Sequence, residues 1–201
     1  MTILNSGRGI AVFITAAILS TGAVYAAGMG EHAHGDNPAT SAGMMSGEGH
    51  HGAMMAGAPG NAADVSRTID VIMYDNYYEP ESISVKAGET LRFNIRNEGT
   101  LVHEFNVGTA AMHASHKDEM MMMMQHGVLG ASTIDMDAAK AMQASMGHGM
   151  HDEPNSVLLE PGKTDEVIWT FPEDADIALE FACNVPGHYE AGMQGNFDIK
   201  K

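Results

Sequence analysis

Apolar and polar residues alternate with a period of two in two separate stretches of this chain, and the segment between them drops the pattern. Ile69, Val71 and Met73 alternate; Ile83 and Val85 follow Pro80; Leu91, Phe93 and Ile95 follow the turn at Ala87-Gly88; Phe105 and Val107 continue the scheme. After the interruption, residues 157–160, 167–171, 178–183 and 195–199 read as four more strands, with a turn at Pro161-Gly162. A period of two puts alternate side chains on one face of a strand, and short runs bounded by turn residues predict an antiparallel sandwich. Together the two stretches match the size of a Greek-key β-sandwich of about seven or eight strands. The expectation is therefore an all-β domain, 65–201, carrying an insertion at 108–155. The insertion is rich in Ala, Met, Gln and His and reads as one or two helices.

The N-terminal third has a different character. Residues 1–9 are polar with one positive charge at Arg8, and Ile10 to Ser20 form an apolar run too short to span a bilayer stably. Small residues at Val24, Ala26 and Ala27 complete a cleavable signal peptide, 1–26. The mature chain is then expected in the periplasm with no membrane segment. Residues 27–64 are mostly Gly, Ala, His and Met with few branched aliphatics. Such a stretch buries too little apolar area to offset the entropy of ordering, so a disordered tail is predicted. A formal charge of −16 excludes nucleic acid as a partner held by phosphate contacts.

Export to an oxidising compartment makes the single cysteine informative, because a free thiol there needs burial or a metal. Cys183, His188 and Met193 lie on one Pro/Gly-rich loop between two predicted strands. His103 shares strand parity with Phe105 and Val107, and Cys183 shares parity with Leu179 and Phe181, so both point toward the sandwich interior. Two imidazoles, one thiolate and a weak axial thioether form the ligand set of a type 1 copper centre. A rigid sandwich suits it, since copper must pass between Cu(I) and Cu(II) with little rearrangement. Zinc is the rival metal, but structural zinc sites favour several thiolates, and Met is a poor zinc ligand. Without a metal, Cys183 is a buried core thiol and His188 a loop histidine.

The segments NEGTLVHEFNVG and FACNVPGHYEAGMQGNFDI resemble the two copper-binding stretches of the cupredoxins, the plastocyanin and azurin class. The likeness covers 65–107 and 156–201. It implies His103, Cys183 and His188 as strong ligands and Met193 as the axial one, with neighbouring Gln194 as an alternative axial donor. The Met/His-rich tail, the HEF strand and the GHYEAGM loop look most like periplasmic copper-tolerance cupredoxins of the CopI type. One departure stands out. Many electron-carrier cupredoxins have Asn after the first ligand histidine, tying the two ligand loops together; here Glu104 takes that place, which leaves the hydrogen bonding around the site open.

The remaining thioethers and imidazoles are concentrated. The tail and the insertion hold 15 of the 18 Met and 9 of the 11 His, so these segments are the place to seek further ligands. In the tail, Met44, Met45, His50, His51, Met54 and Met55 form a block suited to auxiliary copper, against the bland reading of a low-complexity tail. On a helix, His113, His116, Met120 and Met123 share one face, which either binds copper or simply packs on the sandwich. Met142, Met146, His148, Met150 and His151 form a further cluster, while Asp118, Glu119, Asp135 and Asp137 read as solvated charges.

Three functions fit. The first is copper tolerance, with Cu(I)/Cu(II) bound at the type 1 site and sequestered on auxiliary Met/His sites. The second is electron transfer, with the acidic surface docking a cytochrome or another redox or copper-transfer protein. The third, a cuprous oxidase, is disfavoured because the β halves show no second His-rich copper cluster of the kind that reduces oxygen. A non-enzymatic copper protein is the expectation.

Overall fold

The alternating segments pair as two sheets packed face to face. The computed structural model describes residues 56–146 and 153–201, the side chain of Met146 excepted. The expected signal peptide, the tail up to residue 55 and the 147–152 part of the insertion lie outside the described residues. Before the insertion come β1 (Ala58–Pro59), β2 (Arg67–Tyr74), β3 (Tyr77–Glu79), β4 (Ser82–Lys86), β5 (Thr90–Asn97) and β6 (His103–Gly108). The insertion contains α1 (Ala110–Gln125) and α2 (Met136–Met146); β7 (Ser156–Leu159), β8 (Thr164–Thr170), β9 (Glu180–Ala182) and β10 (Gln194–Lys200) follow.

One sheet has the order β1-β8-β5-β2-β3 and the other β4-β10-β9-β6-β7. Strands β2 and β5 pair in parallel, as do β4 and β10, and the remaining neighbours are antiparallel. Between the sheets, Tyr78, Phe93, Phe105, Phe171, Phe181 and Phe197 meet edge-on or tilted, with centroids 4.7 to 6.3 Å apart. That is the geometry aromatic quadrupoles favour, and it gives the sandwich a rigid floor. Among the described residues, no helix is long and apolar enough to cross a membrane.

Two strands, β1 and β3, go beyond the eight read from the pattern. Strand β1 sets Ala58 opposite Thr170 and Pro59 opposite Trp169 on the edge of β8. Trp169 Nε1 donates to the carbonyl of Ala56 at 2.9 Å, and Ala56 is fully buried. Residues 56–64, assigned to the flexible tail by composition, are therefore folded onto the sandwich. Composition misses this because the segment is held by backbone pairing along a strand edge, which needs no apolar side chains.

Strand β6 is buried along its whole length. Phe105 and Val107 belong to the apolar core, and the other face, bearing Glu104 and Asn106, is covered by the insertion. Thr109 caps α1, its hydroxyl accepting from Met112 N at 3.3 Å. The face with His113, His116, Met120 and Met123 is buried, whereas Met121 and Met124 are exposed. Helix α2 starts on Asp135, whose carboxylate accepts from the amides of Asp137 and Ala138 at 2.9 Å each.

Candidate metal centre

Strand β6 delivers His103 at its first residue, and β9 ends just before Cys183. The turn between β9 and β10 then carries His188 and Met193. Its backbone is closed by three bonds: His188 N to Val185 O at 2.9 Å, Met193 N to His188 O at 3.0 Å, and Cys183 N to Met193 O at 3.1 Å. These fold the loop back on itself, so residues distant along it meet at one end of the sandwich.

There His103 Nδ1 lies 3.2 Å from His188 Nδ1 and 4.0 Å from Cys183 Sγ, and Cys183 Sγ lies 3.3 Å from His188 Nδ1. His103, Cys183 and Met193 are fully buried, and His188 is half-buried. Gln194, the other axial candidate, is exposed.

Burial pushes the Cys183 thiol far up, against the amide of Glu104 that donates to its sulfur at 3.3 Å. Burial pushes His103 down against the pull of Asp75, and burial together with the neighbouring His103 pushes His188 down. Burial thus favours the uncharged form of all three groups, and their donor atoms stand 3.2 to 4.0 Å from one another. Two imidazole nitrogens and a sulfur converging at one buried point are a donor set for a soft or borderline metal that takes the thiolate, so the residues fit a metal.

Two carboxylates hold this set in place. His103 Nε2 donates to Asp75 Oδ1 at 2.9 Å, which leaves Nδ1 as the lone-pair nitrogen facing Cys183. Partial burial works against the charge of Asp75, but hydrogen bonds from His103, from the hydroxyl and amide of Thr100 and from the amide of Leu101 outweigh it and hold the carboxyl at about 2. Glu104, fully buried, spans the two ligand loops. Its Oε2 accepts from Asn184 N at 3.1 Å and Nδ2 at 2.8 Å, and its Oε1 is bonded to Asn106 Nδ2 at 3.2 Å and His116 Nε2 at 2.8 Å. The tie between ligand loops is thus made by a carboxylate, with an imidazole of the insertion beside it. Burial opposes a charge on His116, but Glu104, then Glu153 and Glu119, raise its pKa to about 9, so it stands as a cation next to the buried carboxylate.

Helix α1 also lies against the ligand turn. Asn184 Nδ2 donates to His113 Nδ1 at 3.1 Å, Lys117 Nζ donates to Glu190 at 2.9 Å, and the Lys117 ammonium sits 4.4 Å from the Tyr189 ring centroid. Met120 and Met123 sit in the apolar core. The four residues read as one helical face do share it, and that face packs on the sandwich. Met44, Met45, His50, His51, Met54 and Met55 lie outside the described residues, as do His148, Met150 and His151. Glu119, read as a solvated charge, reaches His116 Nδ1 at 3.1 Å. Asp75 went unread in the sequence: it is remote from both ligand segments, and nothing local to it signals a contact with His103.

Residues 50–118 match the family of cupredoxin-like domains. The chain is 51% identical over 157 residues to the copper-resistant cuproprotein CopI of Pseudomonas aeruginosa, covering 72% of this chain and 82% of that one. It is 35% identical over 145 residues to CopI of Rubrivivax gelatinosus, covering 72% and 73%. CopI of Vibrio cholerae is 29% identical over 168 residues, covering 83% of each.

Proposed function

Because the chain belongs to the CopI family of copper-resistant cuproproteins, built on a cupredoxin-like domain, we propose that it is a periplasmic copper-binding protein of copper tolerance with one type 1 site. His103, Cys183 and His188 would hold the ion, with the buried Met193 of the same turn as the weaker fourth donor. The observation that carries this reading is the convergence of the three donor atoms within 4.8 Å of one another on a rigid β floor. Bound copper supplies a one-electron centre of high affinity. The chain's own part is to offer neutral imidazoles and a shielded thiol, to fix the His103 tautomer through Asp75, and to join the ligand loops through Glu104. The Met/His block of Met44, Met45, His50, His51, Met54 and Met55 serves as an auxiliary store, because thioethers and imidazoles accept Cu(I).

In Cys183→Ser protein the thiolate-to-copper visible band is expected to vanish, and cells carrying it should become copper-sensitive. A copper-loaded wild type without that band would remove the type 1 site. The half-buried His188 favours a second reading, electron transfer to a partner protein at this end of the sandwich. That reading wins if Cys183→Ser leaves copper tolerance intact while a respiratory rate falls.

A further inference from the structure

Outside the centre already described, one histidine and two carboxylates converge, His116 and Glu119 one turn apart on α1 and Glu153 from the segment before β7. His116 Nδ1 is 3.1 Å from Glu119 Oε2 and 3.7 Å from Glu153 Oε2, and one donor atom from each residue lies within 4.8 Å of the others. Donors around a tetrahedral ion with bonds near 2.0 to 2.1 Å stand roughly 3.3 Å apart, and the two contacts of His116 Nδ1, at 3.1 and 3.7 Å, bracket that spacing. The imidazole is pre-oriented from outside the cluster: its Nε2 is held at 2.8 Å by the buried carboxylate of Glu104. A carboxylate on the far nitrogen of a histidine is the usual support of a metal ligand, fixing the ring and strengthening the near nitrogen as a donor. Glu119 and Glu153 are exposed, so an ion has a path in from solvent.

We propose that His116, Glu119 and Glu153 form a second cation site, one that takes a divalent ion of borderline hardness such as cupric or zinc ion. The set is one imidazole and two carboxylates, with no sulfur. It therefore suits Cu(II) or Zn(II) and rejects Cu(I), the reverse of the preference of thioethers. The ring of His116 is already held between α1 and β6 by Glu104, so binding orders only two surface side chains. The rival occupant of this position is a proton, which leaves an imidazolium between carboxylates. The site stands on its own residues and does not require the type 1 reading.

The test is a zinc titration of the full mature chain, followed by the side-chain nitrogen resonances of His116, assigned by their loss in His116→Gln. A saturable shift of Nδ1 is expected. Its midpoint should move to about tenfold higher zinc or more in Glu119→Gln/Glu153→Gln. Both glutamates are at the surface, and the backbone amide spectrum checks that the variant keeps its fold; Glu153→Gln alone serves if the double variant does not. Zinc taken up by the tail or by Cys183 without moving His116 overturns the proposal. So does a shift indifferent to the two substitutions, and either result leaves a protonated His116 as the sole occupant.

Discussion

A Cβ at Gly99 would stand 2.4 Å from Asp75 Oδ1 and 2.8 Å from His103 Nε2, so only a residue without a side chain lets that carboxylate reach that imidazole. Gly99→Ala and Asp75→Asn should therefore fail in the same way, by loosening the ring that carries His103 Nδ1. Both are expected to lower copper affinity by about 10- to 100-fold, read by competition with a chelator, while leaving Cys183 in place. A second carboxylate acts on the fold rather than the centre. Hydrogen bonds from Arg67, then from the amide of Lys86 and the hydroxyl of Ser66, hold Glu89 at about 2 against the opposing effect of burial. A group depressed in the folded state stabilises at pH values above its ordinary range, and that contribution is lost as pH falls through the folded value. The urea midpoint should drop between pH 4.5 and 2, and Glu89→Gln should flatten that part of the profile.

At the scale of elements, the strands were readable because one face of each meets a core and the other meets water. Leu91, Phe93 and Ile95 alternate cleanly with Arg92, Asn94 and Arg96, and β5 lies where that pattern puts it. Strand β6 shows where such reading stops. His103, Phe105 and Val107 are legible, but Glu104 and Asn106 look solvent-facing until the insertion folds back over them, His116 of α1 reaching Glu104 and Asn155 reaching Asn106. The buried face of that helix was legible in His113, His116, Met120 and Met123, but the five consecutive methionines at 120–124 put the same residue type on its exposed face as well, at Met121 and Met124. Only its caps are local: Thr109 at the start and Gly127, at φ 74°, after its end. Thr109→Ala is expected to cost about 1 kcal/mol of helix stability. Amide exchange should quicken in α1 more than in β5 or β8, because the lost bond belongs to the helix alone. Uniform acceleration across the sheets would mean that the insertion and the sandwich unfold as one unit.

For the molecule as a whole, the proposed auxiliary store raises the question of which segment would hold copper beyond a first ion. The sequence leaves two sources open, the tail block and the insertion face, because both are rich in the same side chains. The structure bears on the second: His113, Met120 and Met123 are buried against the sandwich, and a thioether buried among apolar neighbours is not offered to an incoming ion. Among the described residues, the exposed thioethers of the insertion are Met121 and Met124 on α1 and Met136 on α2. Auxiliary Cu(I) should then depend on the tail. In the full chain, changing Met44, Met45, Met54 and Met55 to Ser is expected to remove the Cu(I) equivalents above the first, measured by chelator competition, with the visible band of the Cu(II) form unchanged. Met120→Ala should do the opposite, leaving the copper count alone while destabilising the fold by about 2 to 5 kcal/mol, the cost of truncating a fully buried Met. If the tail variant keeps every equivalent and the Met120 variant loses some, the insertion is the store, and its buried face must open to metal.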